Sequence, residues 1–520
     1  MFHSVSIVLI VYLFPMNELR FRISPGIIPE PLLKKSYFAT WGRVPRPTEI
    51  VLNGNEMIVC TSVKGSGTVH VPCPHTQIGL TMESTESLIY QERPYSLIKE
   101  LGRGSLGRLL RKQFDWQMLG FRMSQELKTR IITVSRRFSK AAVTDDSNPK
   151  IEQELVLLLE EFEQIALECT SLFTEQSLAW RTRADEKLPV LFGIGLNNHP
   201  IESLYEFDLY AKFLQEAFHA VIPMPSWRIL EPEPGRFCWE LLEKRISNST
   251  RFGFDIVMGP LLCFDISAFP VWLTPHLREE GTFESHATRF VNAVTERYGS
   301  TAQSWILASR FNSYIIPEIS QSRAVTLVQI LAQQMRNRGI ETPILVGIDQ
   351  PWGEYALTHI PEYDQIQIAE SLMNCHEIDS FLMEINFGFN NRSTLPRDPM
   401  AVSNMIDQWS FLGKKVYVTI SVPSAADADT TDINQSIPLE YQWSEGLQQF
   451  WTEILLKTIL GKRTVHGIFW TLLQDTTNEN PEDTKSLDMD WIPFTGLIDS
   501  QRVLKLAFKH FVSLRKSILK

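Results

Sequence analysis

The chain reads as an α/β protein, a (β/α)8 TIM barrel preceded by a small antiparallel β domain and a helical connector. Three observations predict this. Short alternating runs punctuated by Gly and Pro fill residues 18–100, the pattern of antiparallel strands with one buried face. Apolar residues three and four apart come next, most clearly Leu155, Leu158, Leu159, Phe162, Ile165 and Ala166, which is helical periodicity. From Leu188 onward, eight short apolar runs each precede a helix or a helix-length gap, the rhythm of a parallel sheet covered on both faces. Eight such units within about 330 residues fit a closed barrel. A doubly wound open sheet is the alternative; no GxGxxG or P-loop comes after any run, which weakens it. The expected division is a β-rich domain over 16–100, a connector over 101–187 and the barrel over 188–515.

The first fifteen residues, MFHSVSIVLIVYLFP, carry an apolar run too short to span a bilayer but suited to a signal-peptide core. No Lys or Arg precedes it and no small-x-small cleavage site comes after it. Met16 then opens MNELRFRISPG, which reads as a natural start. Initiation at Met16 implies a cytoplasmic protein; a genuine signal segment implies a secreted one. In the β domain the runs 19–23, 49–52, 57–61, 68–71 and 78–81 predict strands, with Gly54, Gly65 and Gly67 among the punctuation. That β character allows a carbohydrate-binding role. In the connector the polar stretch 144–149 separates two helices.

The barrel runs are LPVLFGIGL (188–196), AFHAVIPM (217–224), FDIVMGPLL (254–262), SWILAS (304–309), PILVGI (343–348), IDSFLMEI (378–385), KVYVTISV (415–422) and VHGIFWTLL (465–473). After the second comes WRILEPEPGRFCWELL (227–242). Pro232 and Pro234 keep this stretch out of a helix interior, and Gly235 supplies a turn that other residues enter only with strain. It reads as a rigid loop carrying an aromatic and two acids, leading into a helix over 239–246.

Composition narrows the function classes. A net charge of −10 lacks the basic footprint of a nucleic-acid binder, and beyond residue 15 no segment approaches transmembrane length. The six cysteines and eleven histidines show neither CxxC nor HExxH spacing, so no metal or cofactor is predicted. Thirteen Trp and thirty Phe in an acidic α/β chain suit a carbohydrate-binding protein, whose rings stack on apolar sugar faces, as well as a well-filled core.

On these residues the chain resembles the family 10 glycoside hydrolases, the xylanase barrel. There a Trp after strand two leads into "EP..G.F.W", which WRILEPEPGRFCW reproduces. IVMGPLLCFDISAFPVWL (256–273) is similar to the family's third strand and loop, and RYGSTAQSWIL (297–307) to its fourth strand. GIFWTLLQD (467–475) with GLIDSQRVLKLAF (496–508) is similar to its eighth strand and the segment C-terminal to that strand. The resemblance covers about 188–515 and implies a hydrolase of carbohydrate metabolism, acting like an endo-1,4-beta-xylanase on O-glycosyl bonds of β-1,4-linked polysaccharides. It also implies two carboxyl groups about 5–5.5 Å apart, one acid/base and one nucleophile. Here the sequence departs from the pattern. Arg310 stands at the acid/base position and Ile420 at that of the nucleophile; Ile222, Pro223, Ser226, Pro260 and Asp265 replace other sugar-contacting residues. A guanidinium keeps its proton at working pH and cannot serve as the acid.

Carboxylates at the C-terminal ends of barrel strands are the remaining candidates. Glu384 faces the interior if Met383 and Ile385 face the helices. Glu384 with Glu354, or with Asp265, is a candidate relocated catalytic pair. Alternatively the carboxylates serve as ion-pair partners of Arg310, with Glu384 or Asp349 expected. Trp227, Trp272, Trp352 and Trp470 are expected either to stack on sugar rings or to pack between barrel and loops. Asn312, Gln350, Asn386 and Asp475 complete the candidate binding set. Two functions stay open, a divergent glycosidase with relocated acids and a catalytically inactive pseudoenzyme that binds carbohydrate or a partner.

Overall fold

The computed structural model describes residues 17–40, 44–144, 149–183, 187–196, 204–313, 316–390, 392–426, 441–475 and 494–519. The expectation about the first fifteen residues falls outside them.

Among the described residues eight short strands come first: β1 (Asn17–Arg22), β2 (Tyr37–Ala39), β3 (Pro45–Arg46), β4 (Glu49–Asn53), β5 (Glu56–Thr61), β6 (Thr68–His75), β7 (Gly79–Ser84) and β8 (Tyr95–Ser96). They form two four-stranded sheets, ordered β4-β5-β1-β8 and β3-β2-β6-β7. Alternation does the sorting: Leu19 and Phe21 of β1 and Met57 and Val59 of β5 are fully buried, while Glu18, Arg20, Arg22, Glu56 and Ile58 are partly or fully exposed. Only β1 with β8 is parallel; the other pairings are antiparallel.

Three helices come next, Leu97–Met118, Gln125–Val143 and Pro149–Arg181. The third buries Leu155, Leu158, Leu159, Phe162, Ile165 and Ala166, one stripe of a 3.6-residue helix. It packs along the barrel helices Pro399–Ser410 and Glu445–Leu460. Arg181 caps the second of these by donating to the Leu460 carbonyl, and to Lys462 O at 2.7 Å. Trp451 Nε1 donates to Ile78 O (3.0 Å), so the N-terminal sheet is tied directly to the barrel.

The barrel strands are β9 (Leu191–Gly195), β10 (Ala220–Ile222), β11 (Asp255–Met258), β12 (Leu262–Cys263), β13 (Ser304–Ser309), β14 (Ile344–Asp349), β15 (Ser380–Asn386), β16 (Lys415–Ser421) and β17 (Val465–Trp470). All pair in parallel; β17 pairs back onto β9 and β11 onto β13, closing an eight-stranded barrel. SWILAS and KVYVTIS are its fourth and seventh strands. The third run is broken into β11 and β12 at the cis Gly259-Pro260 bond, where Pro260 has no N–H to give the ladder. Inward positions carry Ala220, Ile222, Val257, Ile306, Leu345, Leu382 and Phe469, a separate apolar plug inside the barrel. The alternate residues, including Met383, Ile385, Val418 and Ile420, join the larger core between sheet and helices.

Candidate functional site at the barrel mouth

Polar groups gather where the barrel strands end. A register slip between Ile306 and Ala308 in the β13–β14 ladder turns Ser309 inward. Its hydroxyl lies 2.8 and 2.9 Å from the two carboxyl oxygens of Glu384, two strands away. The carboxyl group crosses the intervening strand above Gly347, where any Cβ would overlap Glu384 Oε1. Glycine is required there for close approach.

Glu384 is 5 % exposed and stands beside Asp349, its register partner across β14 and β15. Burial, and then the Asp349 carboxylate, push the Glu384 carboxyl up to about 8. It therefore carries a proton at neutral pH, the form a desolvated carboxyl group prefers. Asp349 is also pushed up by burial, against the pull of Arg310. The Arg310 guanidinium finds Asp349 at 3.5 Å, both side chains being essentially sealed from water. Asn312 clasps the Asp349 backbone, donating to its carbonyl at 2.7 Å and accepting from its N–H at 3.0 Å. Deeper along the rim, Asn386 Oδ1 accepts from Ser421 and Thr471, each at 2.8 Å.

The backbone is strained at this end. Met224 (φ 50°), Arg310 (φ 60°) and Gln350 (φ 47°) lie just past β10, β13 and β14 in the left-handed region, at about 1–3 kcal/mol each. A void of about 40 Å³ remains, lined by Met224, Pro260, Ser309, Glu384, Thr419 and Thr471 among others. That is room for a few waters.

Several expectations are corrected. Glu354 does not meet Glu384; the 3-10 turn Glu354–Leu357 carries it toward the N-terminal sheets, where Arg397 holds it at 3.1 Å. The same guanidinium lies over the Trp352 ring (5.4 Å) and donates to Tyr37 Oη (2.7 Å), so Trp352 is a packing residue. Asp265 is taken by Arg392 at 3.1 Å and by the Ser267 hydroxyl at 2.9 Å, and Asp475 by Lys505 at 2.7 Å. Trp470 faces the helices, edge-on to Phe511, with its N–H on Thr495 O (2.8 Å). Ile420 also points outward; the inward positions at the end of β16 are Thr419 and Ser421. Neither of these two inward residues is a carboxylate.

The Glu-Pro-Glu-Pro-Gly loop proves to be a knot. Buried Glu231 accepts from Trp227 Nε1 (2.8 Å), from Gly235 N (2.6 Å) and from Arg289, while Trp227 stacks on Phe290 at 4.7 Å. Trp272 Nε1 donates to Glu231 O at 2.9 Å. Sequence reading missed Ser309, Gly347, Thr419 and Thr471, because only the register of neighbouring strands turns them inward.

No family model matches this sequence, and no curated protein matches it. Among solved structures the chain is similar to xylanase 10B from Thermotoga maritima, with 13% identity and a TM-score of 0.46, over 64% of this chain and 96% of that one. It is similar to xylanase B from Clostridium stercorarium F9 (16%, TM-score 0.46, over 64% and 98%) and to the Thermobacillus composti GH10 xylanase (16%, TM-score 0.44, over 64% and 98%). At these identities the likeness concerns the barrel alone; the closed strand order shows that barrel in its own right.

Proposed function

We propose that the protein is a glycosidase-type barrel that binds carbohydrate without hydrolysing it by the two-carboxylate route. One observation carries the reading: the end of β16 turns Thr419 and Ser421 inward, neither a carboxylate, while the residue after β13 is Arg310, bound to Asp349. Neither side of the mouth offers the acid/base and nucleophile that retaining hydrolysis needs. Support for carbohydrate comes from the resemblance of the second, third, fourth and eighth strand regions, and from the hydroxyl and amide groups along the rim. The tryptophans are not part of the reading, since Trp227, Trp352 and Trp470 are spent on packing.

A second reading is favoured by the state of Glu384. A carboxyl group protonated at neutral pH beside the Asp349 carboxylate is an acid next to a base, which is the division of labour in a relocated pair.

Calorimetry with xylo-oligosaccharides, run beside a reducing-sugar assay, separates these. Binding without turnover supports the non-hydrolytic reading, and Arg310→Glu then gains no activity because the strand-seven carboxylate is still missing. Turnover lost in Glu384→Gln establishes the relocated pair instead. Neither binding nor turnover across several β-glycans removes carbohydrate from the proposal and leaves the barrel.

A further inference from the structure

A second buried charge cluster lies far from the mouth, where the N-terminal sheet meets the long connector helix. His75 ends β6 and Glu83 lies in β7; the pairing Val71↔Glu83 and His75↔Gly79 puts both on one face of the hairpin. The helix Pro149–Arg181 brings Glu160 and Glu163, one turn apart, up to these residues. One ligand atom from each of His75, Glu83 and Glu163 lies within 4.8 Å of the others, and all three residues are buried.

The details are those of a coordination sphere. His75 Nε2 stands 3.4 Å from Glu83 Oε1; two ligands bound tetrahedrally at about 2.1 Å are separated by roughly that distance. The ring nitrogens of His75 meet carboxylates only as stretched pairs, at 3.4 Å to Glu83 and 3.6 Å to Glu160. Groups so deeply buried normally have hydrogen-bond partners. Glu83 Oε2 is already engaged, accepting from Arg108 and from Ser105 Oγ (3.2 Å), which leaves Oε1, facing the His75 ring, as the ligand atom. On the other side of the ring, His75 Nδ1 faces Glu160 Oε2 at 3.6 Å, the outer carboxylate that usually orients a metal-bound imidazole.

We propose that His75, Glu83 and Glu163 bind a single first-row divalent transition ion, with Zn²⁺ as the reference case, and so fasten the N-terminal sheet to the long helix. One imidazole and two carboxylates suit that class of ion better than calcium or magnesium. Glu160 is a positioning residue for His75, and Arg108 holds the far oxygen of Glu83. The 4.8 Å spread contracts by a few tenths of an ångström on binding, because ligands across such an ion are at most about 4.2–4.4 Å apart. The proposal is independent of the barrel mouth.

The test uses the full chain, dialysed against chelator and titrated with Zn²⁺ by calorimetry and with Co²⁺ by visible absorption. One tight ion per chain is expected, with Co²⁺ showing ligand-field bands of low coordination number. His75→Gln and Glu163→Gln each weaken binding by about a hundredfold or more, and Glu160→Gln by about tenfold to a hundredfold. His286→Ala, at a half-buried His276–His286 pair that mimics a weak surface site, leaves binding unchanged. If His75→Gln does not fold, Glu160→Gln and a Zn²⁺-dependent rise of the wild-type melting temperature carry the test. No ion bound, a melting temperature indifferent to Zn²⁺, or wild-type affinity in His75→Gln would each overturn the site and leave a proton-bearing ion cluster.

Discussion

Two buried clusters in this chain are built from the same parts, a guanidinium set among carboxylates, and differ in what holds them. At the mouth Arg310, Asp349 and Glu384 sit at the ends of three consecutive barrel strands, and the parallel ladder fixes their spacing. At the junction Arg108, Glu83, Glu163 and His75 come from a hairpin and two helices, and only the packing of separate layers brings them together. The mouth has one cation for two carboxyl groups and balances itself by protonating Glu384. Without an ion the junction has a second cationic group in His75, whose proton a bound metal would displace. Burial would discharge this ring, but the contacts with Glu160 and Glu83 outweigh it and hold the ring charged, up to about 10. A ladder can present a lone charge pair rigidly; a packed junction needs more partners.

The contrast can be broken most forcefully by removing each guanidinium. Arg310→Ala strands Asp349 beside Glu384 without a counter-charge and is expected to cost about 3–5 kcal/mol in urea unfolding. Arg108→Ala leaves His75 in place and is expected to cost less, about 2–3 kcal/mol. Equal losses would mean that the second cation does not matter.

Next in size is Gly347→Ala, expected to cost about 1–3 kcal/mol because the new methyl overlaps the Glu384 carboxyl group. Combined with Glu384→Ala, most of that loss should disappear; an additive double mutant would place the strain elsewhere.

The last effect is in pH, comparable in size but spread over several units. Glu384 titrates in the folded state at about 8 against an ordinary 4.5, so the folded form binds the proton more tightly than the unfolded one. Its contribution is full below the ordinary value, declines as pH rises toward 8 by at most about 1.4 kcal/mol per unit, and is absent above. Wild type minus Glu384→Gln stability, measured between pH 5 and pH 9, should show that decline; a flat difference would mean Glu384 is ionised in the folded protein.

Much of the fold was legible. Each of the eight expected runs contains a barrel strand, since wholly apolar runs between helices have few other places to go. The stripe from Leu155 to Ala166 is buried as its spacing requires, and Glu384 faces inward because Met383 and Ile385 face the helices. The site was legible only in outline. Arg310 and Asp349 could be named from the ends of the strands, but Glu354, Asp265 and Asp475 were equally eligible there. Long side chains on loops choose partners by proximity, and proximity is not local in sequence.

By itself the sequence determined the class of architecture, the order of the strands and the absence of a carboxylate from the fourth and seventh strand ends, because period, composition and residue identity are local properties. Only the tertiary structure decided that Thr419 and Ser421 look inward and Ile420 and Trp470 outward, since a one-residue slip in register exchanges the faces of a strand. It alone set Ser309 against Glu384, 75 residues away, across a glycine on the strand between them. And it alone gathered His75, Glu83 and Glu163, which share no spacing signal and meet because a sheet and a helix bury their apolar faces against each other.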